Sequence, residues 1–270
     1  MGWHRELLIG FDLETTGTDI ERDRIVTAAL VRLEPGGSPV TKRTWLIDPG
    51  VPIPDEATAI HGISTGHARE HGTAAGEGVE EIVGAVAEVL RAGYPLVVMN
   101  ARYDLSLLDR ESRRHGITPL SARLGRDPGP VIDPLVLDKH ADRYRKGKRT
   151  LEALCGHYGV RLVEAHEAGA DAVAAAEVAL RIGEKHKELG SIDLPALHEL
   201  QTAAAAKQAE SFQEYLRRTS DPQAYVERAW PLIPAQRPSP DPARTEGSAG
   251  SSERIPSERI PADPVIPGAQ

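Results

Sequence analysis

A short apolar run that ends in two carboxylates most constrains how this chain can fold. Residues Leu7 to Phe11 are nearly all apolar, and Asp12, Leu13 and Glu14 follow them. A run of this kind is typical of a buried strand, and side chains two apart on a strand point to the same face. We therefore predict that Asp12 and Glu14 project together from the strand end while Phe11 and Leu13 face the other way.

The two carboxylates have two explanations. Like charges placed side by side repel each other unless a cation lies between them. The simpler explanation is an exposed strand end with two solvated acids, because an Asp-x-Glu pair is common. The apolar run before the pair, and the small polar turn Thr15-Thr16-Gly17 after it, favour a cation site instead.

The order of the predicted elements indicates the fold class. After a first strand at 7–14, two strands are predicted at 25–33 and 40–47, and the turn-forming stretch at 34–39 favours their antiparallel pairing. Helices are predicted at 79–92, 104–115, 136–144, 150–158, 171–189 and 197–218, with a strand at 95–99. Strands followed by helices that alternate with a strand indicate an α/β fold with a mixed sheet and flanking helices.

Composition divides the 270 residues into three parts. We predict one domain at 1–190 and a helical extension at 191–234, whose appended helix packs on the domain or on a partner. From about residue 235 onward Pro, Ser, Gly and charged residues dominate, and Ser-Glu-Arg-Ile-Pro occurs twice in succession. Such a segment buries too little apolar surface to offset its ordering entropy, so a disordered tail is predicted over 235–270.

Composition also excludes several classes of protein. Cys155 is the only cysteine, which rules out an internal disulfide and a thiolate metal site. No apolar run is long enough to cross a bilayer and the start lacks a secretion signal, so we expect a cytoplasmic protein with no membrane partner. The net charge of −8 argues against coating nucleic acid by bulk electrostatics, but it permits an enzyme that holds a phosphate through bound cations.

Two further groups of polar residues occur where helices are predicted to begin. Asn100 and Asp104 lie between an apolar strand and a helix, which is where functional groups collect in open α/β sheets. His166 and Asp171 precede and open an Ala-rich helix. Taken alone, each aspartate is more simply explained as a helix cap, and His166 as a loop histidine without a role. The neighbouring Glu167 is expected to be solvated.

Together the three groups follow the order of a known motif set, and the chain resembles the DEDDh, or DnaQ-like, family of 3′–5′ exonucleases in the ribonuclease-H-like superfamily. This family includes the proofreading subunit of bacterial DNA polymerase III and oligoribonuclease. The resemblance covers roughly residues 6 to 185. The matching residues are Asp12 and Glu14 in the first motif, Asn100 and Asp104 in the second, and His166 and Asp171 in the third.

Three details bear on this resemblance. Ile60-His61-Gly62-Ile63 is similar to an element that recurs in the family between the first two motifs. The sister group places a tyrosine four residues before the last aspartate, and Glu167 at that position favours the histidine subtype. Many relatives carry a histidine where this chain has Met99, a departure expected to affect substrate contacts more than metal binding.

The resemblance implies a ribonuclease-H-like fold and hydrolysis with two Mg²⁺ or Mn²⁺ ions, which stabilise the attacking and leaving oxygens. The implied metal ligands are Asp12, Glu14, Asp104 and Asp171, with Asp12 contacting both ions. His166 is the implied base, because histidine changes its protonation near neutral pH. Expected substrate contacts are Thr15, Thr16, His61 and Asn100, although His61 is equally explicable as a core histidine.

The predicted reaction releases nucleoside 5′-monophosphates from a nucleic acid with a free 3′ end. We predict single-stranded DNA as the substrate, and a DNA polymerase or another replication or repair protein as a partner. Two alternatives stay open: an exonuclease for small RNA, similar to oligoribonuclease, and a polymerase-associated nucleic-acid-binding subunit with secondary activity.

For Asp133 and for one cluster of basic residues, we predict a structural role and no catalytic one. Asp133, after a short apolar run, is predicted to be a structural strand-end residue and not a ligand. A solvated loop is favoured over a contact with the substrate backbone for the basic cluster Arg143, Arg145, Lys146, Lys148 and Arg149.

Overall fold

The computed structural model describes residues 2–36, 39–163 and 165–235. Its strands are β1 (Leu8–Thr15), β2 (Ile25–Leu33), β3 (Pro39–Asp48), β4 (Thr73–Ala74), β5 (Leu96–Val97) and β6 (Val131–Ile132). Its helices are α1 (Asp55–His61), α2 (Thr65–His71), α3 (Ala75–Arg91), α4 (Ala101–Arg114), α5 (Leu120–Leu124), α6 (Pro134–Ala141), α7 (Leu151–Tyr158), α8 (Ala168–Lys185), α9 (Lys187–Gly190) and α10 (Leu194–Thr219). The predicted tail lies, apart from Ala235, outside the described residues.

The six strands form one sheet in the order β4-β3-β2-β1-β5-β6. Strands β1, β2 and β3 pair antiparallel, as the turn-forming stretch between β2 and β3 predicts. Strands β5 and β6 run parallel to β1, so the carboxyl ends of these three strands meet at one edge of the sheet. The mixed α/β fold predicted from the sequence is confirmed.

Strand β1 separates two hydrophobic cores. Ile9, Phe11 and Leu13 face a core shared with α3 and α4. Leu8 faces a second core, to which α7 and α8 contribute. The alternation along β1 therefore leaves the even-numbered residues on the face covered by α8, as expected for a strand.

Gly10 sets the distance between β1 and α8. A Cβ atom at this position would lie 2.3 Å from the carbonyl oxygen of Ala172, closer than any real Cβ contact. Because glycine lacks this atom, the first turns of α8 lie directly against β1. Asp171, one residue before Ala172, is thereby brought to the same face of the strand as Asp12.

Three short helices and one helix break are not predicted from the sequence. α1, α2 and α5 have five to seven residues each, too few for an apolar stripe to be recognisable. The single helix predicted at 171–189 is two helices, because α8 ends at Lys185 and α9 begins at Lys187. His186 has φ −108° and ψ 85°, outside the helical region.

The C-terminal extension packs on the sheet. The Nδ1 atom of His198 accepts the N–H of Val131 at 3.2 Å, and the side-chain amide of Gln201 donates to the carbonyl oxygen of Val131 at 2.9 Å. Gln201 also accepts the N–H of Asp133 at 2.7 Å. α10 thus satisfies backbone groups along the outer edge of β6. No helix in the described residues has both the length and the apolar character needed to cross a membrane.

Candidate active site

Four carboxylates meet at the edge where the parallel strands end. Asp12 and Glu14 lie at the end of β1, and Asp104 and Asp171 lie in the first turns of α4 and α8. Asp104 and Asp171 are buried, with relative exposures of 3% and 9%. The structure therefore brings together the four aspartate and glutamate residues of the three sequence motifs.

The carboxylates raise one another's pKa values. Burial, followed by the charges of Asp104, Glu14 and Asp171, raises the pKa of Asp12 well above its ordinary value. Burial and the charge of Asp171 raise the pKa of Glu14 to about 8. Asp12 and Glu14 each interact with all three other carboxylates, so the two residues of β1 connect Asp104 with Asp171.

His166 lies beside Asp171 and Glu14. Its backbone N–H donates to the Oδ2 atom of Asp171 at 3.2 Å, and its φ of +68° turns the chain just before α8 begins. One ligand atom each from Glu14, His166 and Asp171 lies within 4.8 Å of the other two. The His166 side chain is exposed, so water and substrate can reach the imidazole.

The donor set fits a hard divalent cation. The Oδ1 atom of Asp171 is buried and has no hydrogen-bond partner among the described residues, although buried polar atoms are nearly always paired. Carboxylate oxygens are the ligands that Mg²⁺ and Mn²⁺ prefer. A cation at this place would supply the missing partner and offset the mutual repulsion that raises the carboxylate pKa values.

Asn100 precedes α4, and Asp133 binds the backbone at the start of this helix. Asn100 has φ +61° and its side chain is exposed at the edge of the sheet. Asp133, which is 1% exposed, accepts the backbone N–H groups of Asn100 and Ala101, each at 3.0 Å, and caps α6. Asp133 thus occupies a strand end and holds the beginning of α4.

The hydroxyl groups of the two threonines after Glu14 form hydrogen bonds within the protein. The hydroxyl of Thr15 donates to the carbonyl oxygen of Gly17 at 2.6 Å and lies 2.9 Å from the hydroxyl of Tyr103. The hydroxyl of Thr16 is buried, donates to Asp23 at 2.8 Å, and accepts a backbone N–H. Tyr103 was not identified from the sequence, and no pattern there distinguishes it.

His61 lies at the end of α1, near His166. Its Nδ1 atom accepts the N–H of Ile63 at 3.1 Å, while its Nε2 atom is buried without a partner among the described residues. Burial lowers the pKa of His61, the backbone of Thr15 opposes that effect, and the charge of His166 adds to it. His61 therefore lies close to both Thr15 and His166.

The basic cluster before α7 has a partly structural role. Arg145 and Arg149 both pair with Asp138, which is 0% exposed on α6 and also accepts the hydroxyl of Tyr158 at 2.8 Å. Lys146 and Lys148 are exposed. The solvated-loop prediction therefore describes the two lysines but not the two arginines.

Glu167 was predicted to be solvated, but its carboxylate binds other groups of the protein. Its carboxylate caps α8 by accepting the N–H groups of Gly169 and Ala170, and the ammonium group of Lys42 contacts it at 2.7 Å. Glutamate is an uncommon N-cap residue, and Lys42 lies far away in the sequence, so no local pattern points to this arrangement.

The sequence profile described as "RNase_T: Exonuclease" matches residues 9–179, which is more than half of the chain. The chain belongs to the RNase_T exonuclease family. The residues matched contain all four carboxylates and His166, and they exclude the C-terminal extension. The resemblance to DnaQ-like exonucleases inferred from the motifs is confirmed.

Curated relatives and solved structures agree with this membership. A PolC-type DNA polymerase III of Caldanaerobacter subterraneus is 28% identical over 67% of this chain and 12% of its own length. A DNA polymerase III subunit epsilon-like protein of Rhodobacter capsulatus is 33% identical over 64% of this chain and 23% of its own length. The chain thus spans less than a quarter of the length of either relative.

The fold is similar to that of exonuclease I. The enzyme from Methylocaldum szegediense superposes with a TM-score of 0.56 at 26% identity, over 80% of this chain and 46% of that enzyme. Exonuclease I of E. coli superposes with a TM-score of 0.58 at 18% identity, over 77% of this chain and 45% of that enzyme. The RNase_T exonuclease fold accordingly extends over most of the described residues.

Proposed function

We propose that this protein is a metal-dependent 3′–5′ exonuclease that releases nucleoside 5′-monophosphates from single-stranded DNA. The convergence of Asp12, Glu14, Asp104 and Asp171 around one point, with His166 beside them, carries this proposal. The names of the relatives, both of them DNA polymerase III proteins, support DNA as the substrate.

Each carboxylate has a proposed place in a two-metal site. Asp12 would contact both cations, since its carboxyl group is buried and interacts with each of the other three carboxylates. Glu14 and Asp171 would complete one site, and Asp104 would support the other. When bound, two divalent cations stabilise the attacking and leaving oxygens of an in-line displacement at phosphorus.

The residues around the carboxylates handle the proton and the substrate. His166 accepts a proton from the attacking water, the bond between phosphorus and the 3′ oxygen breaks, and the 3′ oxygen takes a proton from solvent. We assign the terminal nucleotide to a pocket lined by Thr15, Thr16, His61 and Asn100. The proximity of His61 to Thr15 and His166 supports this assignment. Thr16, whose hydroxyl and N–H are already bonded, would line the pocket without donating to the substrate.

The names of the relatives also support two broader proposals. The chain would act with a DNA polymerase or another replication or repair protein, and it would do so in the cytoplasm. Co-purification of the full-length chain with the polymerase of its own host tests the first of these. An isolated chain that degrades DNA and binds no polymerase would contradict it.

A ladder assay tests the activity and its direction. The purified protein is incubated with 5′-labelled single-stranded DNA, duplex DNA and RNA of the same sequence, with Mg²⁺ or Mn²⁺, and with the same DNA carrying a blocked 3′ end. We expect a ladder of shortened products from single-stranded DNA, and none when the 3′ end is blocked. Asp12→Ala, purified in parallel, controls for contaminating nucleases.

Each of the other outcomes would assign a different activity to the protein. A ladder from RNA alone would replace the DNA assignment with an oligoribonuclease-like one. Immediate release of the labelled 5′ nucleotide would contradict the direction. Binding of DNA with no product from any substrate would leave a nucleic-acid-binding subunit and refute the enzyme.

A further inference from the structure

A segment after α10, residues 221–234, lies across helix α4. We call this segment the strap. Arg110 on α4 donates to the carbonyl oxygens of Ile233 and Pro234 at 2.9 and 3.1 Å, and the hydroxyl of Ser106 accepts the N–H of Ile233 at 2.8 Å. Arg102 donates to the carbonyl oxygen of Glu227. The strap lies outside the residues that match the exonuclease family.

The strap contacts the face of α4 that lies opposite Asp104. Arg102, Ser106 and Arg110 are four residues apart, so they form one stripe along the helix. Asp104 is two residues from Arg102 and from Ser106, which is about 200° around a helix of 3.6 residues per turn. On that other face, Asp104 and Glu111 accept the backbone N–H groups of Leu13 and Ile25 at 3.1 and 3.3 Å. α4 is therefore held between the sheet and the strap.

Trp230 connects the strap to the start of α4. Its ring is 6% exposed and lies 5.0 Å from the ring of His198 on α10. Its indole N–H donates to the Oδ2 atom of Asp133 at 3.2 Å. The same Oδ2 atom accepts the N–H of Ala101, so the tryptophan and the first turn of α4 share one buried carboxylate oxygen.

We propose that Trp230 is a positioning residue: through Asp133 it orients the first turn of α4, and the strap thereby holds Asp104 beside Asp12. The inference rests on the proposed function only in taking Asp104 as a metal ligand. A buried carboxylate that loses a donor is left with an unmet hydrogen bond. Without the indole N–H, Asp133 holds Asn100 and Ala101 less firmly, and the carboxylate of Asp104 moves more freely.

Trp230→Phe isolates the hydrogen bond, because it keeps a buried aromatic ring and removes the N–H. Trp3→Phe is the matched control. Trp3 is 2% exposed, and its N–H donates to the carbonyl oxygen of Leu189 at 2.9 Å, away from α4. Each variant loses one buried hydrogen bond donated by an indole N–H, so both should have a lower melting temperature. Only the bond of Trp230 is made to a residue that contacts α4.

Ser106→Ala is a second variant that keeps the test decisive if Trp230→Phe fails to fold. It removes the acceptor for Ile233 without enlarging a side chain. Its control is Ser112→Ala, on the same helix, where the hydroxyl is equally buried and, among the described residues, bonds only to the carbonyl oxygen of Leu108 at 2.6 Å.

Two measurements read out the position of α4 without using turnover. The first is amide hydrogen exchange of residues 98–104 in the metal-free protein, and the second is Mn²⁺ affinity by electron paramagnetic resonance titration. We expect Trp230→Phe and Ser106→Ala to speed exchange there several-fold over their controls. Trp230→Phe should also raise the Mn²⁺ dissociation constant about 10-fold, the low end of what residues that orient ligands contribute. In turnover, kcat should fall while KM stays constant.

Exchange and Mn²⁺ affinity that match those of the two controls would overturn the proposal. A wild-type protein that neither binds Mn²⁺ nor degrades nucleic acid would refute the proposed function instead. The exchange rates of residues 98–104 would still show whether the strap orients α4.

Discussion

The carboxylate of Asp104 accepts the backbone N–H of Leu13 at 3.1 Å, which ties helix α4 to strand β1 between Asp12 and Glu14. Leu13 itself faces the hydrophobic core. One hydrogen bond thus places a carboxylate from the second sequence motif against the two carboxylates of the first. The arrangement costs electrostatic energy in the metal-free protein, because burial and neighbouring carboxylates raise the pKa values of both Asp12 and Asp104.

Asp104→Asn is expected to separate folding from catalysis. The amide oxygen can still accept the N–H of Leu13, while the negative charge is lost. Turnover should fall more than about 100-fold, since even the outer partners of metal ligands contribute 10–100-fold. The metal-free melting temperature should stay the same or rise, because one repulsive charge is removed. Exonuclease rates and differential scanning fluorimetry measure the two effects.

The exposed Asp127, just before β6, provides the control carboxylate. Asp127→Asn should change neither turnover nor stability. Near-normal turnover in Asp104→Asn would show that Asp104 is not a ligand, and the same holds for alanine variants of Asp12, Glu14 and Asp171.

Divalent cations are expected to stabilise the wild-type protein through this site. A ligand that binds only the folded state at 100 times its dissociation constant adds about 2.7 kcal/mol, or about 5–10 °C in a domain of this size. Mn²⁺ should therefore raise the melting temperature of the wild type, and raise that of Asp12→Ala much less. Equal rises in the two proteins would assign the effect to non-specific binding on the acidic surface.

The motifs predict the centre of the site because they lie at element ends that local patterns reveal. The apolar run before Asp12 predicts a buried strand, and the predicted strand at 25–33 coincides with β2. Asn100 and Asp104 follow an apolar strand, and Asp171 opens an amphipathic helix. Each of these signals spans fewer than about 20 residues, the range over which hydrophobic periodicity carries information.

The contacts that hold the site residues in position cannot be predicted from such local patterns. Trp230 is more than 90 residues from Asp133, whose buried carboxylate it contacts. Arg110 binds backbone carbonyl groups of the strap, and any sequence supplies such groups. Gly10 allows the close approach of α8 only because of where Ala172 lies in three dimensions. None of these relationships leaves a periodic pattern in the sequence.

The stability of the metal-free protein is expected to fall as pH rises. Burial and the charge of Asp171 raise the pKa of Glu14 to about 8. Between about pH 4.5 and 8 the folded state keeps a proton that the unfolded chain has lost, so the free energy of unfolding decreases with pH. Melting temperatures measured in EDTA across this window should decline, and less steeply in Glu14→Gln.

Saturating Mn²⁺ should remove this decline, because metal binding requires deprotonated carboxylates and strengthens as pH rises. A metal-free melting temperature that increases from pH 5 to 8 would mean that Glu14 is ionised and paired in the folded protein.

Deleting residues 236–270 is expected to leave the melting temperature and the rate on short oligonucleotides unchanged. The segment's composition offers little apolar surface to bury. A longer truncation from residue 221 should lower the melting temperature, because it removes the buried Trp230. Loss of stability on the shorter deletion would show that the tail docks on the domain.

The last prediction separates the base from the ligands. His166 has φ +68°, a conformation that asparagine tolerates better than alanine, so His166→Asn is the cleaner variant. Its backbone N–H can still hold Asp171, while the side chain can no longer accept a proton. Turnover should fall by about 10²–10⁴, the usual contribution of a general base. The rise in melting temperature caused by Mn²⁺ should persist, because the four carboxylates remain.

The response to Mn²⁺ gives an independent test of the same role. One ligand atom of His166 lies within 4.8 Å of those of Glu14 and Asp171, so the histidine is also close enough to bind a cation. If His166→Asn loses the stabilisation by Mn²⁺ together with its activity, His166 is a metal ligand and the attacking water is deprotonated by another group.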